Sequence, residues 1–277
     1  MTLSHLGSCD RTDVGRKRKL NEDSVLRMPS IGVFCVADGM GGAEEGDIAS
    51  QAVVESLEQS LLETAAEDLS AEDKVKMARE ALNNASQWLW KRSERKGKSG
   101  TGSTAMILVF DSIETDRVFT LHAGDTRAYC YRKGRLKLLT RDHSIASDGG
   151  FKDEADVPSM FRGVITKAVG IKPDVEPDES CHEVKANDLF LLCSDGLTRM
   201  VPDKKLIRLF RLHEKSDLET TADALIDAAN RKGGDDNISV ILVQVRAPVN
   251  NSVGDSTETD DSNQESSHST STVETRQ

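Results

Sequence analysis

The chain contains several short apolar runs, each long enough for one buried strand. Three of them follow one another with only turn residues between them, at 103–110, 117–122 and 126–132. These connections leave no room for a helix, so the spacing predicts antiparallel neighbours rather than strands joined by helical crossovers. Further strands of the same kind are predicted at 31–37, 189–193 and 238–245.

Three longer segments place apolar residues at every third or fourth position, which is typical of amphipathic helices. They cover 48–61, 75–89 and 218–229. The first two lie next to each other and predict an αα-hairpin packed on a sheet. Because the strands come in consecutive runs and the helices are grouped apart, the pattern predicts an α+β layered fold.

The C-terminal stretch differs in composition from the rest of the chain. Residues 248–277 are rich in Ser, Thr, Asp and Glu and contain almost no apolar side chains. Such a segment buries too little surface to offset its ordering entropy, so we expect a disordered acidic tail. No linker or internal repeat interrupts residues 1–247, which we interpret as one domain.

Composition and charge argue against several classes of function. The formal net charge of -11 argues against a nucleic-acid partner, which requires a basic surface. No apolar run approaches the ~18 residues of a membrane span, and the N-terminal segment lacks the apolar core of a signal peptide. The five cysteines form no CxxC pair and are expected as buried, reduced thiols. We therefore expect a cytoplasmic, monomeric protein.

Aspartates stand at the ends of several predicted strands. Asp38 and Asp195 follow apolar runs and precede glycines, Asp125 closes a third run, and Asp236 shortly precedes the strand at 238–245. An Asp-Gly pair by itself is a common turn signal. Several carboxylates that meet at one sheet edge would repel one another unless a cation neutralised them. The pattern as a whole therefore indicates a metal site.

The ligand types indicate hard cations and phosphoryl chemistry. Oxygen ligands select Mg²⁺ or Mn²⁺, and His122 is interpreted as strand packing rather than as a zinc ligand. Two such ions, roughly 3.5–4 Å apart, can generate a hydroxide from a shared water and neutralise a phosphoryl group. Phosphate also needs a positive partner, for which Arg18 is the candidate, since a guanidinium binds phosphate bidentately. The basic run 16–19 is equally compatible with a solvated charge cluster.

The chain also resembles a known protein family. Eight segments, in order and spanning about residues 5–246, are similar to bacterial-type metal-dependent serine/threonine protein phosphatases of the type 2C (PPM) family. A single such motif would be weak, whereas eight in order are specific. The segments are RKLNEDS (18–24), VADGMGG (36–42), GSTA (102–105), AGDTRAY (123–129), TRDHS (140–144), ITKAVG (165–170), LLCSDGLT (191–198) and GGDDNISV (233–240).

The resemblance implies a fold and an activity. The fold would be a central antiparallel β-sandwich flanked by helix pairs on both sides, with the metal site at one end between the sheets. The activity would be hydrolysis of phosphoserine and phosphothreonine in one in-line displacement by a metal-activated hydroxide. The partners would be phosphorylated proteins, as substrates of a cognate serine/threonine kinase.

The resemblance also implies roles for individual residues. Asp38 would bridge two Mn²⁺ or Mg²⁺ ions, and the Gly39 carbonyl would bind one of them. Asp195 and Asp236 would complete the other. Arg18 would bind the phosphate, which makes Arg18, Asp38, Asp195 and Asp236 the catalytic set.

Further acidic residues would surround the two ions. Glu22 and Asp23 would act through water, with direct binding by Asp23 left open. Asp125 would hold a third, weaker ion together with Asp195. Asn237 would orient Asp236.

Several positions depart from the family pattern. Met40 and Ala43 stand where family members often carry a histidine, so no side chain is identified as the general acid. His143 could contact a proton or phosphate, but a structural role is favoured. The flap segment at 145–162 looks compact, without the helical pattern common there, and Gly163 stands where asparagine is frequent. Both put substrate selection and the third ion in question.

Two other functions are compatible with part of this pattern. A phosphoprotein-binding module without activity would be expected to have lost a metal-bridging aspartate, and none is missing. A phosphohydrolase for small molecules could use the same site chemistry. Relative turnover of a small phosphate ester and of a phosphoprotein would distinguish it.

Overall fold

The computed structural model describes residues 5–41, 45–62, 69–97, 100–111, 116–151, 156–161 and 163–246. The predicted tail at 248–277, Ala43 and parts of the predicted flap lie outside these residues.

Within these ranges, eleven strands form two antiparallel sheets. In chain order they are β1 (Leu6–Asp13), β2 (Asp23–Met28), β3 (Val33–Met40), β4 (Gly102–Ser103), β5 (Ala105–Phe110), β6 (Arg117–Ala123), β7 (Arg127–Arg132), β8 (Arg135–Leu138), β9 (Asp178–Glu183), β10 (Leu189–Cys193) and β11 (Ile238–Val245). One sheet has the order β1-β11-β10-β7-β8, and the other has the order β2-β3-β5-β6-β9 with β4 paired to β3. The predicted antiparallel pairing is confirmed for the first two of the three consecutive runs, β5 and β6. It is wrong for the third run, because the chain crosses to the other sheet after β6, and β7 pairs there with β10 and β8.

Six α-helices accompany the sheets among the described residues. They are α1 (Gly46–Leu62), α2 (Ala71–Lys96), α3 (Ile145–Asp148), α4 (Asp195–Thr198), α5 (Asp203–Leu212) and α6 (Leu218–Asn230). Helix α2 begins where the Ser70 side chain accepts a hydrogen bond from the Asp73 N–H, and it ends at Gly97, whose φ of 59° suits a residue without a side chain. Asp217 caps α6 in the same way as Ser70 caps α2.

The core has three apolar layers. One lies between α1, α2 and the second sheet and includes Val53 and Leu82. The middle layer joins the two sheets through Phe34, Phe110 and Phe190, whose rings meet edge to face. The third packs α5 and α6 onto the first sheet. The predicted α+β sandwich with helix pairs on both sides is confirmed.

The structure corrects some local expectations. Asp38 lies inside β3, which continues to Met40, and Gly124 separates Asp125 from the end of β6. Four cysteines are buried as predicted, but Cys181 is exposed because it lies on edge strand β9. The predicted flap does contain one helical turn, α3.

Among the described residues, no helix combines the length and the apolar character needed to cross a bilayer.

Candidate active site

The pairing of β2 with β3 brings the first two acidic residues together. Asp23 and Asp38 are directly opposite each other in this antiparallel pair. The backbone of Asp38 is fixed on its other side, because its N–H donates to Thr104 Oγ1 at 2.9 Å and its carbonyl accepts from the Thr104 N–H at 2.8 Å. The Ser194 hydroxyl donates to Asp23 Oδ2 at 2.8 Å and ties the two sheets together at this end. Asp38 therefore sits on a rigid backbone.

Close backbone packing at Gly39 places the start of α1 beside the site. A Cβ atom on Gly39 would lie 1.9 Å from the Gly46 carbonyl oxygen and 2.7 Å from the Glu22 carbonyl oxygen. The Gly39 N–H donates to that Glu22 carbonyl at 3.1 Å. Only glycine fits here, and the contact brings the Glu22 side chain next to the N-terminal turn of α1.

The loop before β11 and the start of α4 supply the next two aspartates. Asp195 is the first residue of α4, and Asp236 lies two residues before β11. The two segments touch at Gly196, where a Cβ would lie 2.0 Å from the Asn237 carbonyl oxygen. Asn237 orients Asp236 as predicted, but through its backbone, whose N–H donates to Asp236 Oδ1 at 2.9 Å.

The side chain of Asn237 forms hydrogen bonds with a different segment of the chain. Its Nδ2 donates to the carbonyls of Val14 and Leu20, and its Oδ1 accepts from the Glu22 N–H at 2.9 Å. Asn237 therefore braces the loop that carries Arg18 and Glu22 against β11.

Most of the sequence-predicted residues line one cavity of about 890 Å³. The predicted site residues in its wall are Arg18, Glu22, Asp38, Gly39, Asp195 and Asp236. Asp23 is buried opposite Asp38 in the strand pair, and Asp125 lines an adjoining cavity of about 350 Å³ whose wall also includes Asp195. Asp235 lies apart and pairs with Lys17 at 2.7 Å. The acidic segments thus converge as the sequence predicts.

Burial and mutual repulsion shift the carboxylates toward their protonated forms. Burial first, and then the charges of Asp23 and Asp195, raise the pKa of Asp38 well above its ordinary value. Burial first, and then repulsion that comes mainly from the charge of Asp125, raise the pKa of Asp195 to about 8. Burial also raises the pKa of Asp23 to about 6 and the pKa values of Glu22 and Asp125. Only a cation would let all of these groups ionise together.

These shifts predict a pH dependence of the metal-free protein. Between about pH 4 and pH 8 the folded chain keeps protons that the unfolded chain releases, so the free energy of unfolding falls as the pH rises. In EDTA, we expect Asp195→Asn to melt close to the wild type at pH 5 and above it at pH 8. Thermal melts of both proteins at the two pH values test this; an equal difference at both would contradict it.

Within the part of the chain that the structure describes, two arginines face the acidic cluster. Arg18 Nη2 donates to Asp236 Oδ2 at 2.8 Å, and Nη1 lies 3.5 Å from Glu22 Oε2, so Arg18 is part of the site rather than only a solvated charge. Arg199 Nη2 lies 2.6 Å from Asp195 Oδ2. Arg199 is not among the residues predicted from the sequence; the one available signal is a basic residue four positions after Asp195, which itself follows a predicted strand.

A second group of potential metal ligands lies beside the site and is tied by hydrogen bonds. Ligand atoms of His122, His143 and Asp178 lie within 4.8 Å of one another, and the two rings stack 4.6 Å apart. The Gly124 N–H donates to His143 Nδ1 at 3.1 Å, so a neutral His143 carries its proton on Nε2, which faces Asp178 and is not free to bind a metal. The ring instead anchors the loop next to Asp125. This geometry supports the structural roles expected for both histidines.

Comparison with known proteins decides the family. The family model described as protein phosphatase 2C matches residues 15–233. The chain belongs to the protein phosphatase 2C family. It is 34% identical over 242 residues to the serine/threonine phosphatase stp of Listeria welshimeri, covering 84% of this chain and 94% of that protein. The PP2C-type protein serine/threonine phosphatase predicted from the sequence is confirmed.

Solved structures of the protein phosphatase 2C family share the fold. PppA from Pseudomonas aeruginosa, a regulatory component of the T6SS there, aligns with a TM-score of 0.77 at 31% identity, covering 88% of this chain and 99% of PppA. The catalytic domain of the serine/threonine protein phosphatase PstP, in complex with 2 manganese ions, aligns with a TM-score of 0.74 at 29% identity, covering 87% of this chain and 99% of that domain. The family therefore includes a manganese-bound member.

Proposed function

We propose that this protein hydrolyses phosphoserine and phosphothreonine in phosphorylated proteins, using two Mn²⁺ or Mg²⁺ ions held by the acidic cluster. The observation that carries the proposal is the convergence of Asp38, Asp195 and Asp236 on one cavity, with the pKa values of the first two raised by burial. Such a cluster is unfavourable on its own and becomes favourable with divalent cations.

The residues present fit hard cations. Buried oxygens on Glu22, Asp23, Asp125 and Asp195 have no hydrogen-bond partner among the described residues. Carboxylate and carbonyl oxygens are the donors that Mg²⁺ and Mn²⁺ select. When bound, two such ions would polarise the phosphoryl group and lower the pKa of a shared water.

The ligand residues would be divided between the two ions. Asp38, whose pKa is raised by the charges of four other aspartates of the cluster, would be shared by both ions. The Gly39 carbonyl would bind one ion, and Asp195 and Asp236 would bind the other. Glu22 and Asp23 would act mainly through water.

Arg18 supplies the positive group for the substrate. Its side chain is 47% exposed and lies at the rim of the larger cavity, between Glu22 and Asp236. A guanidinium has five N–H donors, and the two carboxylates do not use all of them. The remaining donors would hold phosphate oxygens and orient the phosphoryl group over the cluster.

Neither residue 40 nor His143 would supply the proton for the leaving oxygen. Met40 lines the cavity and has no acidic proton, and His143 is buried against Gly124 and Asp178. The leaving serine or threonine oxygen would take its proton from water in the open cavity.

The substrate class and setting follow from the same features. An acidic chain with an open cavity suits phosphorylated proteins, and we propose that it opposes a serine/threonine kinase as a cytoplasmic monomer. We further propose residues 1–247 as the phosphatase domain, since the described fold ends with β11 and Arg246.

Phosphate release from a phosphothreonine peptide in Mn²⁺ tests the function. We expect turnover that EDTA abolishes, and a fall in kcat/KM of roughly 10- to 100-fold for Arg18→Ala, which removes one or two charge-assisted hydrogen bonds to the phosphate. Arg16→Ala is the matched control, because Arg16 belongs to the same basic run but does not line the cavity.

Two outcomes would count against the proposal. Wild-type turnover no higher than that of a variant lacking Asp38 would refute the activity. Equal kcat/KM for a small phosphate ester and a phosphoprotein would favour a small-molecule phosphohydrolase instead.

A further inference from the structure

Arg199 reaches three carboxylates of the active site from one position. Its Nη2 lies 2.6 Å from Asp195 Oδ2 and 3.9 Å from Asp125 Oδ2, and its Nη1 lies 3.8 Å from Asp236 Oδ2. The residue follows α4 directly, and its N–H donates to the Asp195 carbonyl at 2.8 Å. One helical turn therefore aims the guanidinium back over the aspartate that starts the helix.

We propose that the Arg199 guanidinium is a built-in cation that serves Asp125 and Asp195 in place of a third metal ion, so that this protein binds two ions. The inference rests on the proposed two-ion site and concerns the position beside it. It makes Arg199 a positioning residue for Asp125 and Asp195.

Charge and geometry both exclude a third ion while Arg199 is in place. An arginine stays protonated at any working pH, and a divalent ion between Asp125 and Asp195 would lie within a few ångströms of it. Asp195 Oδ2 is already engaged by Arg199 at hydrogen-bonding distance. Burial raises the pKa of Asp125, and the charge of Arg199 is the main influence that opposes the rise.

Gly163 provides the space that Arg199 occupies. A Cβ atom at residue 163 would lie 3.3 Å from Arg199 Nη2, tighter than most such contacts, and the φ of 68° also disfavours a side chain there. The glycine at position 163, where the family often has asparagine, therefore leaves room for the Arg199 side chain.

Arg199 also forms part of the wall between the two cavities. Both cavities are lined by Gly163, Asp195 and Arg199. Removing the guanidinium would open the space between Asp125 and Asp195 to ions from either side.

Mn²⁺ stoichiometry of the full chain tests the proposal without relying on turnover. We expect electron paramagnetic resonance of free Mn²⁺ and calorimetry to give two ions for the wild type and for Asp125→Asn. Arg199→Ala should gain a third, weaker ion, and the double variant with Asp125→Asn should return to two. Arg199→Lys keeps a cation and should stay at two.

Arg141→Ala is the matched control. Arg141 lines the smaller cavity with Arg199, but it bonds the Ser147 hydroxyl and carbonyl rather than an active-site carboxylate. The Arg141→Ala variant should bind two ions. Melting temperatures should show that every variant is folded.

The possible failures are distinguishable. A third ion in the wild type that Asp125→Asn removes would overturn the role of Arg199, as would a folded Arg199→Ala that still binds only two. A wild type that binds no Mn²⁺ would instead refute the two-ion site and, with it, the proposed function.

Discussion

Asp38→Asn is expected to abolish Mn²⁺-dependent phosphatase activity and at the same time to raise the melting temperature of the metal-free protein. An amide cannot neutralise two cations, so kcat/KM should fall by roughly 100- to 1000-fold or more. The stability gain arises because burial and the neighbouring carboxylates make an ionised Asp38 unfavourable, as its raised pKa shows. The backbone contacts of Asp38 with Thr104 do not involve the substituted group.

The gain in melting temperature from Asp38→Asn should increase with pH. The penalty on the wild type grows as the pH rises above the ordinary pKa of an aspartate, so the two proteins should melt closer together at pH 5 than at pH 8. At pH 8 the wild type is penalised and the variant is not. Asp227→Asn, on an exposed face of α6, is the control and should change neither property. Full activity in Asp38→Asn, or a lower melting point than the wild type in EDTA at pH 8, would contradict the account.

Gly39→Ala is expected to disrupt the site, because the new side chain would force the neighbouring backbone to move. The new Cβ would lie 1.9 Å from the Gly46 oxygen and 2.4 Å from the Gly46 carbonyl carbon, and neither atom can rotate away as a side chain could. The end of β3 and the start of α1 would have to separate, at a loss of about 3 kcal/mol or more in the free energy of unfolding. Because the Gly39 carbonyl would move with them, Mn²⁺ binding should also be lost.

Gly7→Ala is the matched control for this substitution. Gly7 is also a buried strand glycine, but its Cβ would meet only the guanidinium end of the Arg246 side chain, which can move. Its destabilisation should stay below about 1 kcal/mol. Urea unfolding of the two variants measures both values, and a Gly39→Ala variant as stable as Gly7→Ala would show that the close approach is not rigid.

The strands that could be predicted from the sequence are the interior ones. Strands β10 and β11 match the predicted ranges because both faces of each are buried, which leaves a continuous apolar run. The unpredicted strands are β1, β2, β8 and β9, and each lies at the edge of its sheet. Strand β9 has the sequence DESCHE and is mostly exposed, so no hydrophobic pattern marks it.

The site residues, like the strands, could be predicted where the neighbouring sequence marks them. They could not be predicted where their role depends on contacts with distant parts of the chain. Asp38, Asp195 and Asp236 could be found because each lies within or beside an apolar run that defines its place in the fold. Arg199 could not be assigned, since its role depends on Asp125, which is far away in the chain. The bracing contacts of Asn237 to Val14 and Leu20 likewise exist only in the folded protein.

Anomalous diffraction from crystals grown with Mn²⁺ would locate the ions themselves. We expect two peaks, roughly 3.5–4 Å apart, among Asp38, Asp195 and Asp236 in the larger cavity. Peaks elsewhere on the protein, or an active enzyme whose crystals show no ion among these three carboxylates, would contradict it.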